Sequence, residues 1–231
     1  MALSFSLIEI MESFKAVAGT FTLRRDRAPI DSVSRLQHFV ATRAAFVAQK
    51  TLYGYLQTRI GTRYARVVED DPYRESINIA KFHVFAACLS DLAIHAAAHV
   101  LDGRPVADDV RRDLALGCFR RGFDDNSADM PGRFSPDEAE ARFALRLTMT
   151  AWAGQALHRD NFRESPAALL RWAPIAPELK DEDAEIVANS IRFAWRDIRE
   201  QFQKRLHADA VCADLAGSAA SAMPVVRERG A

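Results

Sequence analysis

Residues 77–101 read INIAKFHVFAACLSDLAIHAAAHVL, and whether this stretch crosses a membrane or fills a protein core decides the fold. Its only charged residues are Lys81 and Asp91, its longest run free of charge is about ten residues, and His83, His95 and His99 interrupt it. A bilayer asks for ~20 consecutive, mainly apolar helical residues and penalises a charge near its centre, so the buried-core reading is preferred. At about 100° per residue, Phe82, Phe85, Ala86, Leu89, Leu92, Ala93, Ala96 and Val100 fall on one face, whereas Val84, Cys88 and Ile94 lie elsewhere around the circumference. A helix apolar on more than one side belongs at the centre of a bundle, covered by several neighbours.

The flanking sequence supplies those neighbours. A first long helix starts at Asp31 or Ser32, either of which offers an N-cap oxygen, and runs to about Ile60 before Gly61. Its apolar positions are Leu36, Phe39, Val40, Phe46, Val47, Tyr53, Leu56 and Ile60. The central helix spans about 72–101 and stops at Asp102-Gly103-Arg104-Pro105, because glycine takes the left-handed conformation and proline cannot continue a helix. A shorter helix follows over about 106–119, then a polar loop over 121–134. Ser135-Pro136-Asp137-Glu138 is a strong start signal for a helix reaching about His158. The three prolines of ESPAALLRWAPIAPELK leave room for one short helix and a turn. The last long helix begins in the acidic run Asp181-Glu182-Asp183 and ends near Lys204, Arg205 and His207, as the helix dipole favours. Its core stripe is Val187, Ile191, Ala194, Trp195, Ile198, Phe202 and Leu206. No segment reads as a strand. The expectation is an all-α, single-domain bundle of about six helices over residues 1–212, with a disordered tail over 213–231.

Composition narrows the function classes. Of 231 residues 49% are apolar, ample for a core, and Lys plus Arg equals Asp plus Glu at 31 each, so no overall field points to nucleic acid. Cys88, Cys118 and Cys212 are odd in number, far apart and without C-x-x-C spacing, which argues against a disulfide framework or structural zinc site and fits a reducing cytoplasm. The opening MALSFSLIEIMESFK carries Glu9 and Glu12 and lacks early basic residues, unlike a secretory signal. Leu7, Ile8, Met11 and Phe14 give it helical spacing, so residues 3–15 are an amphipathic helix that packs on the bundle, docks on a partner or, least favoured with Lys15 its lone basic residue, touches a membrane surface.

The polar positions of the central helix form a ladder, Asp91, His95 and His99, at four-residue steps. A buried carboxylate requires a partner, which is expected to be His95 or a base of the first helix, Arg43 or Lys50. As a metal site the ladder offers two ready ligands and a strained third; neither E-x-x-H nor H-E-x-x-H occurs, and no metal or cofactor is expected. His99 has an ordinary reason for its place, since a partly protonated imidazole suits the carbonyls of a last helical turn. Ser90 and His95 lie about 140° apart around the helix, so they are not nucleophile and base to each other, and no G-x-S-x-G elbow is present. In YGYLQTRIGTRYAR, Arg59, Arg63, Tyr64 and Arg66, with Tyr53 and Tyr55, form a candidate anion-binding group, against the simpler alternative of a basic helix C-terminus. Asp124, Asp125, Asn126 and Asp129 lack the order of a calcium loop.

Residues 39–102, from FVATRAAFVAQKTLYGYLQTRIGTRY through ACLSDLAIH, resemble a bacterial family of small helical proteins loosely labelled as esterases. The resemblance covers a quarter to a third of the chain, implies a helical fold and hydrolase activity, and carries no catalytic motif from which site residues transfer. The preferred expectation from the residues themselves is an accessory or scaffold protein acting through protein contacts or self-association. The alternative is a helical-bundle enzyme, either an esterase-type hydrolase or a metal-dependent enzyme using Asp91, His95 and His99.

Overall fold

A computed structural model describes residues 27–127, 130–152, 154 and 162–222. Among them are seven helices and no strand: α1 (Val33–Ile60), α2 (Asp71–Val100), α3 (Asp108–Asp124), α4 (Pro136–Met149), α5 (Glu164–Trp172), α6 (Pro177–Arg205) and α7 (Ala208–Ala222). A 3-10 turn (Gly61–Arg63) and a single α-turn (Tyr64–Val67) join α1 to α2.

The helix starts follow side-chain chemistry. The Ser32 hydroxyl accepts from the Arg35 amide at 3.3 Å, the Asp70 carboxylate from the Tyr73 amide at 3.2 Å, and the Ser135 hydroxyl from the Glu138 amide at 3.2 Å. Each satisfies one of the amides that a helix leaves unpaired at its N-terminus. At the other ends Gly61 (φ 61°) and Gly103 (φ 66°) take left-handed conformations that a Cβ would strain.

α2 is the centre of the bundle, packed against α1, α3, α5 and, less extensively, α4 and α7. Every apolar residue expected on its main face is buried except half-exposed Ala86, and Val84, Cys88 and Ile94 on its other flanks are buried too. It is long and apolar enough to cross a membrane, but 67% of the qualifying window is enclosed by the other helices, as in a core helix. Small residues set the spacing. At Gly122 of α3 a Cβ would come within 2.6 Å of Leu89 on α2, so this glycine permits the approach of the two helices. α6 buries Val187, Ile191, Ala194, Trp195, Ile198 and Phe202, six of the seven positions in its expected stripe, with Leu206 partly covered. Ile30 exchanges backbone hydrogen bonds with Arg205 (2.8 Å) and His207 (2.9 Å), tying the start of the described chain to the end of α6.

Several boundaries differ from expectation. α3 continues through Asp124 because Phe119 and Phe123 both have places in the core, so the polar loop starts later. α4 stops at Met149 rather than near His158, which lies outside the described residues; Thr150 leaves the helix with ψ 121°. α6 begins at Pro177, where proline at the first position has no amide to leave unpaired. Residues 213–222, expected in a disordered tail, are helical within α7, which is anchored by buried Val211 and by the Asp214 carboxylate accepting from the Val33 amide at 2.8 Å. The expected amphipathic helix over residues 3–15 lies outside the described residues.

Candidate functional site

α2 places Asp91 at 0% exposure, where an ionised carboxylate is tolerated only with donors around it. Its Oδ1 accepts from Arg146 Nη1 of α4 at 2.8 Å and, at 3.3 Å, from the Glu164 amide; Oδ2 accepts from the Ser165 amide at 2.9 Å. Those two amides open α5, whose own N-cap residue, Arg163, supplies no side-chain acceptor. The carboxylate of α2 therefore caps α5 from outside, a role that suits negative charge at a helix N-terminus. The Ser165 hydroxyl in turn accepts from Trp195 Nε1 of α6 at 2.9 Å, and Arg146 Nη1 also donates to the Ser90 hydroxyl at 2.6 Å. One carboxylate thus gathers α4, α5 and α6 onto α2. Burial lifts its carboxyl above the ordinary range, with Arg146 first and Ser165 next opposing that rise.

This corrects the pairing expected for Asp91. The base is Arg146, not His95, Arg43 or Lys50, because Asp91 faces α4 and α5 while α1 runs along another flank of α2. Arg43 is buried with its guanidinium over the Phe39 ring, and exposed Lys50 lies over Phe46. His95, 1% exposed, belongs to an aromatic cluster, its ring centroid 4.3 Å from His99, 5.2 Å from Phe162 and 6.0 Å from Phe202. For His99, burial lowers the imidazole pKa and Arg199 adds to this, with Asp102 opposing, so it is held toward neutrality rather than partly protonated. The ladder is divided between a capping network and a packed aromatic core. Among the described residues no three His, Cys, Asp or Glu side chains converge as a metal site.

The candidate anion-binding group is also divided. Arg59 is held by a bidentate ion pair to buried Asp183 of α6, whose Oδ2 also accepts from the Tyr55 hydroxyl at 2.8 Å. Arg63 and Arg66 point outward, while burial beside Tyr53 and Tyr73 raises the Tyr64 phenol to about 12. In the following loop, Asp125 pairs with Arg121 and the Asn126 amide group donates to the Gly122 carbonyl, so these side chains act locally.

What the sequence did not bring forward is a groove lined by residues of α2, α3, α4 and α5, with a volume of about 380 Å³. Ala86, Ala87 and Ser90 of α2 form its floor, their small side chains leaving space open above the helix. Phe119, Phe143 and Met149 supply apolar wall, and Arg142, Arg146 and Arg171 line it with Glu164 as the sole carboxylate. The His83 imidazole stacks on Trp172 with centroids 3.4 Å apart and planes 5° from parallel. Burial, Arg142 and Arg171, in that order, lower the His83 pKa to about 4, so the ring is neutral near pH 7. Ser90 is held by Arg146, and His83, the histidine in the same groove, lies two helical turns, about 10 Å, away along α2. They form no nucleophile–base pair.

A signal for part of this groove was present in ARFALRLT, where Arg142 and Arg146 stand four residues apart beside Phe143 and Leu147 and so share one side of α4. Periodicity alone does not say which side faces α2. Fold and groove together define the class: an all-α bundle with an arginine-lined surface cleft. Compared with known protein families, curated proteins and solved structures, the chain finds no match.

Proposed function

We propose that this chain is an accessory or scaffold protein that works through protein contacts, and that it associates with a second copy of itself through the outer face of α6. One observation carries this: Leu179, Ile186 and Phe193 stand at seven-residue intervals on that face and are 37%, 70% and 62% exposed, while the opposite face of the helix fills the core. A seven-residue interval brings side chains back to nearly the same side of a helix, so the three form one row.

Charge favours an antiparallel partner. Exposed acidic residues Glu178, Asp181, Glu182 and Glu185 dominate the first half of α6, while the second carries exposed Arg192, Arg196 and Lys204 against exposed Asp197 and Glu200, for a small positive excess. A second α6 running the other way sets each half against its opposite. A row of three side chains covers less than the ~800 Å² per partner of a standard interface, so the pairing is a weak, concentration-dependent one. The three free cysteines suit the cytoplasm expected for such a protein.

Sedimentation equilibrium from 1 to 500 μM tests the proposal. Association that strengthens with concentration and is lost in Ile186→Asp/Phe193→Asp, with the melting temperature kept, is the expected result. A strictly monomeric protein, or association indifferent to that double substitution, refutes it.

A further inference from the structure

The groove over α2 is independent of the α6 face, and its lining is unusual in combining an apolar floor and walls with three guanidinium groups. We propose that it is a binding site for a small organic anion, an apolar body carrying one carboxylate or phosphate. At about 380 Å³ it falls at the lower end of the ~300–1,000 Å³ typical of small-molecule sites, and holds on the order of a dozen non-hydrogen atoms.

The charge has a direction. Arg142 makes no hydrogen bond or ion pair among the described residues, and the Arg171 guanidinium rests over the Trp172 ring, 5.5 Å from its centroid. Asp91 already meets the Arg146 charge from beneath, and Glu164, the one carboxylate of the lining, also has its backbone turned to Asp91. Positive charge therefore predominates on the open side, over low-dielectric walls that strengthen its field. Arginine's planar fork suits a carboxylate or phosphate, and Arg146 is fixed before any ligand arrives by its bonds to Asp91 and Ser90.

The apolar part is met by two aromatic pairs. Trp172 carries His83 on its face, and Phe119 stacks with Phe143 at 4.4 Å between centroids and 18° between planes. These rings favour a flat or slender body, and the neutral His83 adds a hydrogen-bonding edge without a charge of its own. A bare inorganic anion leaves the walls unused, and an uncharged apolar molecule leaves the arginines unused.

Isothermal titration of the full chain with 2-naphthoate, decanoate, naphthyl phosphate, naphthalenemethanol and inorganic phosphate tests this. The expected result is sub-millimolar binding of the organic anions, with the alcohol and inorganic phosphate each at least about tenfold weaker. The relative strength of naphthoate and naphthyl phosphate assigns the head group. Arg142→Gln/Arg171→Gln, at exposed positions outside the Asp91 network, is expected to weaken the organic anions by about tenfold or more while leaving the circular dichroism and melting temperature unchanged. An anion at these two guanidiniums also relieves their effect on His83, so its imidazole proton resonances are expected to titrate at higher pH in the complex. Absence of binding below 10 mM, equal affinity for the alcohol, equal affinity for inorganic phosphate, or full affinity in a folded double variant overturns the proposal.

Discussion

Replacing Arg146 by Met keeps a long apolar stem while removing the cation that faces Asp91, so it isolates the electrostatic part of the central network. Breaking a buried ion pair by deleting one partner costs about 3–5 kcal/mol. The lower end applies here for two reasons: the Arg146 side chain is one-fifth exposed, so the pair is not wholly enclosed, and Asp91 keeps the Glu164 and Ser165 amides. The expected loss at pH 8 is about 3 kcal/mol, or a melting temperature lower by about 6–12 °C for a chain of this size. Its pH dependence is diagnostic. Burial already places the folded-state carboxyl above its unfolded value, and Arg146 is the first of the causes holding it down, so the variant moves it higher still. A group raised on folding lends its stability below the unfolded value and loses it as pH rises through the folded one. The gap between wild type and variant should therefore widen from pH 5 to pH 8 and narrow toward acid. Urea melts at each pH supply the difference. A gap that is constant, or that grows toward acid, refutes the assignment of Arg146 as the counter-charge. In Asp91→Leu/Arg146→Met both charges vanish together, which by itself is often close to neutral. A residual loss of about 1–2 kcal/mol is expected here because the Ser165 amide is left buried without its acceptor.

The remaining predictions concern other parts of the bundle. Gly122→Ala gains helix propensity but drives a Cβ into Leu89; a net loss of about 1 kcal/mol is expected by denaturant melt, and Leu89→Ala in the same chain should relieve the clash while adding its own cavity cost. Asp183→Ala removes the acceptor of Arg59 and Tyr55 between α1 and α6 and should cost about 2 kcal/mol, read by the same melts; a neutral result would mean that partly exposed Arg59 is fully compensated by water. For His83 the folded pKa of about 4 lies below the ordinary 6.5, so its contribution is present above pH 6.5 and declines as pH falls toward 4. His83→Gln should flatten that part of the stability profile between pH 7 and 4.5, and an unchanged slope would show that another group carries it.

The helices were legible because their periodicity and end signals are local. Ser32, Ser135 and the glycines after α1 and α2 announce their ends within a few residues, and the α6 stripe repeats a single spacing. α4 shows where local signals stop working, since the glycine of TMTAWAG, Gly154, stands five residues beyond the observed end at Met149 and nothing at Met149 itself marks a stop, so a helix running on to His158 was as consistent with the sequence. That Asp91 must be paired was also legible, because a carboxylate in the least charged helix has few tolerable environments. Its partner was not. Arg43, Lys50 and Arg146 are equally basic in the sequence, and choosing among them needs the rotation of each helix about its axis, which only packing determines.

The same gap hid the groove, whose lining comes from four helices, with Ala86 and Ala87 contributing by being small rather than reactive. A sequence draws attention to chemically conspicuous residues such as Asp91 and the histidines, yet in this bundle those residues are largely consumed in holding helices together. Asp91 caps α5, His95 fills an aromatic core, and Arg59 clamps α6 to α1. Arg146 belongs to both sides of this division: it is fixed below by Asp91 and Ser90 and borders open space above. Because the carboxylate that fixes Arg146 also caps α5, and α5 carries Arg171 and Trp172, these three lining residues of the groove rest on one buried residue. Loss of Asp91 is therefore expected to loosen the groove as a unit, with both aromatic and cationic contacts weakened together.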